Sequence, residues 1–333
     1  MKIPQISVII PIYNVEKYIE KCCRSLFDQS LNNLEYIFVD DCSPDNSIEV
    51  LEKILKEYPH RKLQVKIIRH RENQGQWKAR TTGFENAAGD YIIHCDSDDW
   101  IELDMYEKMY NKAIKENADI VCCNLLYEYK NTNKECKYPY DIETADAIKE
   151  MKLSLLYSSL SNKLIKKSLY ISHDIWPFEN INMTEDLGMT IRLRYFSEKT
   201  IIIQEAFYHY RMHSDSTTNN LSLNRIQQQM KCAEEIDNFF LKQGSQTYNE
   251  FLLPILYIKF NSKNYFLSCS SVRNLEMWKN TFPESSKDIW KYKDINIKLK
   301  FFYWLASCGF EKISIHLFFV NKKINKLKSK FKL

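Results

Sequence analysis

Apolar residues in the first 125 positions fall into short runs separated by amphipathic stretches. Ile6 to Tyr13 (ISVIIPIY) is a β-branched run of strand length. Val15 to Gln29 then repeats at helical spacing, with Tyr18, Ile19, Cys22 and Leu26 on one face and Glu16, Lys17, Glu20 and Lys21 on another. Glu35 to Asp40 reads as a second strand, followed by a helix from Ser47 to Tyr58 behind the turn-forming Ser43-Pro44-Asp45-Asn46 cluster. Gln64 to His70 is a third strand, and after Asn73-Gln74-Gly75 a helix runs to Ala88, where Gly89 stops it. Asp90 to Cys95 is a fourth strand, and a helix from Leu103 to Asn117 leads to a fifth, Asp119 to Leu126. Strands alternating with helices of this length predict an α/β fold, a doubly wound and mostly parallel sheet.

From about 130 to 215 the rhythm breaks. Asn131 to Tyr140 is polar, Ser161 to Tyr170 reads as a short helix, Glu185 to Phe196 as a clear one, and Ile201 to Arg211 as extended chain. Beyond about 220 the pattern is helical, which suggests a main domain over 1–216 and a helical region over 217–333. In the latter, Phe302, Leu305, Ala306, Gly309, Phe310, Ile313, Leu317 and Val320 recur at three- and four-residue steps.

Of the 333 residues, 44% are hydrophobic and 27% charged, which excludes wholesale disorder. Six glycines are too few for a Gly-rich phosphate loop, and neither G-x-G-x-x-G nor the P-loop pattern occurs. Any phosphate must be held another way. Ten cysteines include no C-x-x-C pair, so they read as reduced, buried thiols of a cytoplasmic protein. No signal-peptide pattern follows Met1, and no uncharged apolar run reaches the length of about 18 residues that a membrane span needs. Net charge is +4, which argues against a nucleic-acid-coating protein, but it is unevenly spread. The last 47 residues hold 12 Lys and no Arg against three acids, a net +9 that leaves the first 286 at −5. A basic amphipathic end of this kind fits an anionic membrane surface, each Lys near it contributing about 1 kcal/mol.

Open α/β sheets bind ligands beyond the carboxyl ends of their strands. There the pattern places Pro11, Tyr13 and Asn14, then Asp40-Asp41-Cys42-Ser43, then Asn73 and Arg80, then Asp96-Ser97-Asp98-Asp99. Three carboxylates within four residues repel one another unless a cation neutralises them. Hard oxygen ligands with room for phosphate suit Mg²⁺ or Mn²⁺. An acidic cluster capping the next helix is the plainer alternative. Asp41 could accept a hydrogen bond from an imide N–H such as uracil offers, and Tyr13 offers a ring to stack on a base.

The residues Ser7 to Asn14, Phe38 to Asp45, Asn73-Gln74-Gly75 with Ala79-Arg80, Asp96-Ser97-Asp98-Asp99, Asn162-Lys163-Leu164, Thr184-Glu185-Asp186 and Tyr210-Arg211, in this order, resemble the family-2 inverting glycosyltransferases of the GT-A fold. The resemblance covers about residues 6 to 216 and implies a nucleotide-sugar-binding half over 1–130 and an acceptor-binding half over 131–216. It implies that Pro11, Tyr13 and Asp41 hold uridine, that Asp96 and Asp98 are the family's D-x-D, with Ser97 between them on the nucleotide-sugar, and that Arg211 with Ser216 reaches the diphosphate; Asn73 and Arg80, by their place at the strand ends, are expected near the phosphates or the metal cluster. His213 between Arg211 and Ser216 is left open. Asp98, Asp96 and Asp99 are the metal candidates, without a choice among them beyond a preference for Asp98. Asp186 resembles the catalytic base, and Glu185 its orienter or an acceptor contact; a carboxylate at a helix N-terminus is expected to stay ionised through the helix dipole. Thr184 is the expected N-cap.

The implied reaction moves a hexosyl or N-acetylhexosaminyl group from a UDP-sugar to a glycan or lipid-linked glycan, in surface polysaccharide or lipid-linked oligosaccharide synthesis, with Mn²⁺ or Mg²⁺ as cofactor. Two departures stand out. Cys42 occupies a position often given to glycine, and the Q-x-x-R-W signature of processive synthases is absent. A sugar nucleotidyltransferase and a catalytically silent glycan-binding module are the competing readings.

Overall fold

The computed structural model describes residues 3–129, 133–137, 158–213, 222–268, 272–293, 295–310, 312–314 and 316–317. The chain divides into two compact units, Met1–Asn220 and Leu221–Leu333.

The first unit is built on a nine-stranded sheet whose main path runs β3-β2-β1-β4-β8-β6-β9-β5, with β7 paired to β6. β1 (Ile6–Ile12), β2 (Leu34–Asp40), β3 (Val65–Arg69) and β4 (Tyr91–His94) are mutually parallel where they pair, as the alternating pattern predicts. β1 lies between β2 and β4, so its residues are apolar on both faces and Ile6, Val8, Ile9, Ile10 and Ile12 are wholly buried. α1 (Ile19–Phe27), α2 (Ser47–Glu57) and α3 (Gln76–Glu85) follow β1, β2 and β3 in turn, and α4 (Met105–Glu116) follows β4 and the short β5. α3 approaches β1 so closely that a Cβ on Gly83 would lie 2.3 Å from the Ile9 side chain.

The second half of the sheet departs from the expected pattern. Ser161 to Tyr170 is not one helix: it is β8 (Lys163–Lys166) followed by α5 (Lys167–Ser172). β8 pairs antiparallel with β4 on one side and β6 (Ile120–Glu128) on the other, and this interior position buries Leu164 and Ile165 completely. Burial in a sheet overrides the local helical spacing. The polar stretch after 130 contains β7 (Asn133–Cys136), an edge hairpin with β6 that has no apolar face to betray it. β5 (Trp100–Ile101) is a two-residue strand on β9 (Thr200–Arg211), and β9 runs parallel to β6 through two register shifts. α6 (Glu185–Phe196) stands where the periodicity predicts it.

The second unit is helical in its described residues. α7 (Leu223–Lys242) and α8 (Ser245–Lys263) are joined through Gly244, whose φ of +98° only glycine adopts freely. With α9 (Val272–Asn280) and α10 (Ile297–Ser307) they enclose Ile226, Phe260, Trp278, Ile289 and Tyr292. The apolar repeat read across residues 302–320 is not one helix. Gly309 turns left-handed (φ +93°) and Phe310 N–H donates back to the Leu305 carbonyl at 2.9 Å, which ends α10 and leaves Phe310 exposed. Among the described residues no helix is long and apolar enough to cross a membrane. The lysine-rich 321–333 lies outside the described residues.

Lys263 is fully buried in this unit. Its Nζ donates to the carbonyls of Thr281 (2.9 Å) and Phe282 (3.0 Å) and to Ser286 Oγ (2.7 Å), over the face of Trp278. Removing its N–H donors strands these acceptors. Lys263→Met is expected to lower stability by about 2–3 kcal/mol, read from urea unfolding followed by tryptophan fluorescence.

Candidate active site

The rim beyond β1, β2 and β4 is assembled by acidic side chains that clamp backbone. After β1, Tyr13 is 49% exposed and Asn14 turns left-handed (φ 56°). The N–H groups of Asn14, Val15 and Glu16 donate to Ser43 Oγ (2.8 Å), Ser47 Oγ (3.0 Å) and Asp45 Oδ2 (2.8 Å). Asp40 Oδ1 accepts from Ser43 N–H at 2.8 Å and closes the turn after β2. Cys42 in that turn has φ 58°, which explains why glycine suits the position.

Asp41 is 3% exposed. Its Oδ1 accepts from Gln74 N–H (2.8 Å) and faces His70 Nδ1 (2.8 Å), while Oδ2 accepts from Gly75 N–H (2.7 Å). Gly75 has φ +90°, and a Cβ there would lie 2.2 Å from Asn182 Oδ1. Asp41 on one side and Asn182 on the other therefore fix the start of α3, with Asn73 exposed just before it.

One turn into α3, Arg80 is 4% exposed and joins two distant acidic segments. Its Nη2 meets Asp96 Oδ1 at 3.0 Å and its Nε meets Glu185 Oε1 at 3.4 Å. Its Nη1 is buried and finds no hydrogen-bond partner among the described residues. Burial opposes the arginine's charge, but Asp96, Glu185 and Asp186 more than offset it and raise its pKa. The acids respond in the other direction. Desolvation, with Asp186 as like-charged neighbour, pushes Glu185 up to about 8 against the pull of Arg80. Asp186, at the first turn of α6, is raised above 3.8 by desolvation despite Arg80. Removal from water thus outweighs the helix dipole in setting the direction of the shift. The Asp186 Oδ1 accepts from Leu187 N–H at 2.7 Å. Thr184 does not cap α6; it sits at φ 61° and its hydroxyl donates to the Met183 carbonyl.

The Asp96-to-Asp99 turn splits by burial. Asp98 Oδ2 faces His213 Nε2 at 2.9 Å. Asp99 is 1% exposed, with Oδ2 accepting from Tyr208 OH (2.7 Å) and Oδ1 from Arg211 N–H (2.8 Å). Asp99 therefore acts as a clamp between the turn and β9. The Ser97 hydroxyl donates to the Pro11 carbonyl at 2.7 Å, tying the turn to β1. Arg211 donates from Nε to the Asp98 carbonyl (2.8 Å) and lies over Trp100 (4.7 Å) and Tyr18 (5.2 Å). Ser216 lies outside the described residues.

Among the described residues no three His, Cys, Asp or Glu side chains converge as a metal site. The Asp98–His213 pair fits a cation that takes one or two protein ligands and completes its shell with phosphate and water. The sequence reading missed His70, Asn182 and Tyr208. His70 had a signal, as a polar residue at the carboxyl end of a strand; Asn182 and Tyr208 act across more than 100 residues and had none.

A family model described as Glycosyl transferase family 2 matches residues 7–173. The chain belongs to that family. The Bacillus subtilis (strain 168) protein EpsH is 34% identical over 223 residues, covering 65% of this chain and 63% of EpsH. The chain thus spans a little under two thirds of that relative's length. Among solved structures, Staphylococcus aureus TarS 1-349 in complex with UDP-GlcNAc superposes with a TM-score of 0.70 at 18% identity, over 96% of this chain and 92% of that one. The mannosyltransferase PcManGT from Pyrobaculum calidifontis, in complex with GDP-Man and Mn²⁺, gives 0.52 at 13% identity, over 95% and 86%. These two likenesses establish the GT-A fold.

Arg80→Met would strand buried carboxylates and is expected to cost about 3 kcal/mol at neutral pH. The loss should shrink as pH falls and Asp96 and Asp186 take up protons, which paired denaturant titrations at pH 5 and pH 8 would measure. Cys42→Gly relieves the left-handed backbone and is expected to raise stability by up to about 1 kcal/mol, checked by thermal unfolding.

Proposed function

We propose that the chain is an inverting, metal-assisted glycosyltransferase that moves a hexosyl or N-acetylhexosaminyl group from a UDP-sugar to a glycan hydroxyl. The observation that carries this reading is the meeting of Asp96 with Glu185 and Asp186 at the buried Arg80, in a chain of glycosyl transferase family 2. The TarS structure with bound UDP-GlcNAc supports a uridine donor, and PcManGT with Mn²⁺ supports a divalent cation.

Residues 1–130 form the donor half and 131–216 the acceptor half. Tyr13 stacks on the base. Asp41 already accepts three hydrogen bonds, which leaves about one of its roughly four lone-pair sites for the uracil imide. The unpaired Arg80 Nη1 and the Arg211 side chain are donors for substrate oxygens. Asp98 and His213 would hold Mn²⁺ or Mg²⁺, which when bound neutralises charge on the departing diphosphate. Asp186 takes the proton of the attacking hydroxyl, and its desolvated carboxylate is a stronger base than a free one. Glu185, protonated at neutral pH, donates a hydrogen bond and orients the acceptor or its neighbour. The acceptor is a lipid-linked glycan at the cytoplasmic membrane face, a reading supported by the basic C-terminal region.

UDP release from a panel of UDP-sugars with Mn²⁺ and a glycan acceptor tests the reaction; pyrophosphate release instead would favour a nucleotidyltransferase. Asp186→Asn is expected to lower kcat by about 10²–10⁴-fold while calorimetry shows UDP binding unchanged, and full activity would reject the base. Because Asp186 must be ionised, kcat should rise with pH along a limb centred above 3.8, and Asp186→Asn should abolish that limb. Chelation should abolish transfer, with Mn²⁺ or Mg²⁺ restoring it.

A further inference from the structure

The second unit carries an apolar face that its own core does not use. On α10, Ile297, Phe301, Trp304 and Cys308 follow at steps of four, three and four residues, a single helical face. The first three are 73%, 43% and 39% exposed, and Cys308 is exposed as well. The core is served by another face, on which Ala306 is fully buried and Leu299 and Tyr303 pack against the enclosed cluster. Trp290, itself 48% exposed, lies 6.4 Å from Trp304 between ring centroids, and Phe301 stacks on Trp304 at 6.0 Å. Two tryptophans and a phenylalanine thus form one exposed cluster.

The chain that carries these rings is rich in lysine. Lys287, Lys293 and Lys298 are exposed, and Lys291 has a side chain 66% exposed beside Asp288 at 2.6 Å. Lys300 donates to the Trp290 carbonyl at 3.1 Å, which anchors one cation to the aromatic cluster itself. Charge decides among occupants. A second copy would bring another terminal region of net +9 against the first, and lysine is depleted in protein–protein interfaces. Exposed tryptophans settle at headgroup depth, and lysines beside them are drawn to anionic lipids.

We propose that this face of α10, with Trp290, docks on an anionic lipid bilayer, the aromatic rings entering the headgroup layer and the flanking lysines meeting lipid phosphates. Its purpose rests on the reading of a lipid-linked acceptor. Its existence does not, because vesicle binding is measured without donor or acceptor.

The test is co-sedimentation of the full chain with vesicles of equal parts phosphatidylglycerol and phosphatidylcholine, against phosphatidylcholine alone. Binding to the anionic vesicles is expected to be at least about tenfold stronger, and to fall as NaCl rises from about 0.1 M to about 0.5 M. The triple variant Trp290→Ser, Phe301→Ser, Trp304→Ser should lose about tenfold or more of this binding with unchanged circular dichroism. Should that variant misfold, Lys291→Glu with Lys298→Glu, both at exposed positions, should weaken binding to the same vesicles. Absence of anionic-vesicle binding, or retention of full binding by the lysine pair or by the folded triple variant, overturns the proposal. So does a dimer, seen by light scattering, that the triple variant dissolves: a second copy would then cover the face.

Discussion

Everything in the candidate site depends on keeping one guanidinium and several carboxylates together out of water. Arg80 is buried between Asp96, from the end of β4, and Glu185, from the start of α6. Each ion removed from water costs several kcal/mol, and each close pair returns about 4 kcal/mol at an effective dielectric of 20. The arrangement therefore holds only as a set. One arginine cannot balance Asp96, Glu185 and Asp186 together, and burial beside a like charge pushes Glu185 up to about 8. Two carboxyls whose pKa values burial raises thus stand side by side at one helix N-terminus.

The position of Arg80 is itself set at a distance. Asp41 holds the N–H groups of Gln74 and Gly75, and Gly75 fits against Asn182 only because it lacks a Cβ. Those contacts fix where α3 begins, hence where its first turns deliver the arginine. Asp45 does the same for the loop after β1, and Asp99 for the junction of its turn with β9. The acidic richness of this rim thus serves two purposes. Some carboxylates satisfy backbone donors in loops that cannot pair in a sheet, while Asp96 and Glu185 meet the buried Arg80 and Asp98 faces His213.

The second unit spends its charged groups differently. Lys263 is enclosed with its donors matched to carbonyl and hydroxyl oxygens, a polar tie inside an aromatic core. Other lysines of this unit, Lys287, Lys291, Lys293 and Lys298, stay exposed at the surface. The same residue type closes one surface and marks another, according to whether acceptors are present.

The sequence alone determined the parallel strands β1 to β4, their intervening helices and α6, because period-2 and period-3.6 patterns and apolar runs are local properties. It also determined which residue types gather at the strand ends, and the family resemblance they carry. Only the tertiary structure decided that Ser161 to Tyr170 contains a strand, that a polar stretch makes β7, and that Gly309 interrupts the last apolar repeat. It likewise decided which aspartates are clamps. Asp98 and Asp99 are adjacent and chemically identical, yet one faces His213 and the other is enclosed by Tyr208 and Arg211, residues more than 100 positions away. Burial and partners of that kind are set by long-range packing, which no local pattern encodes.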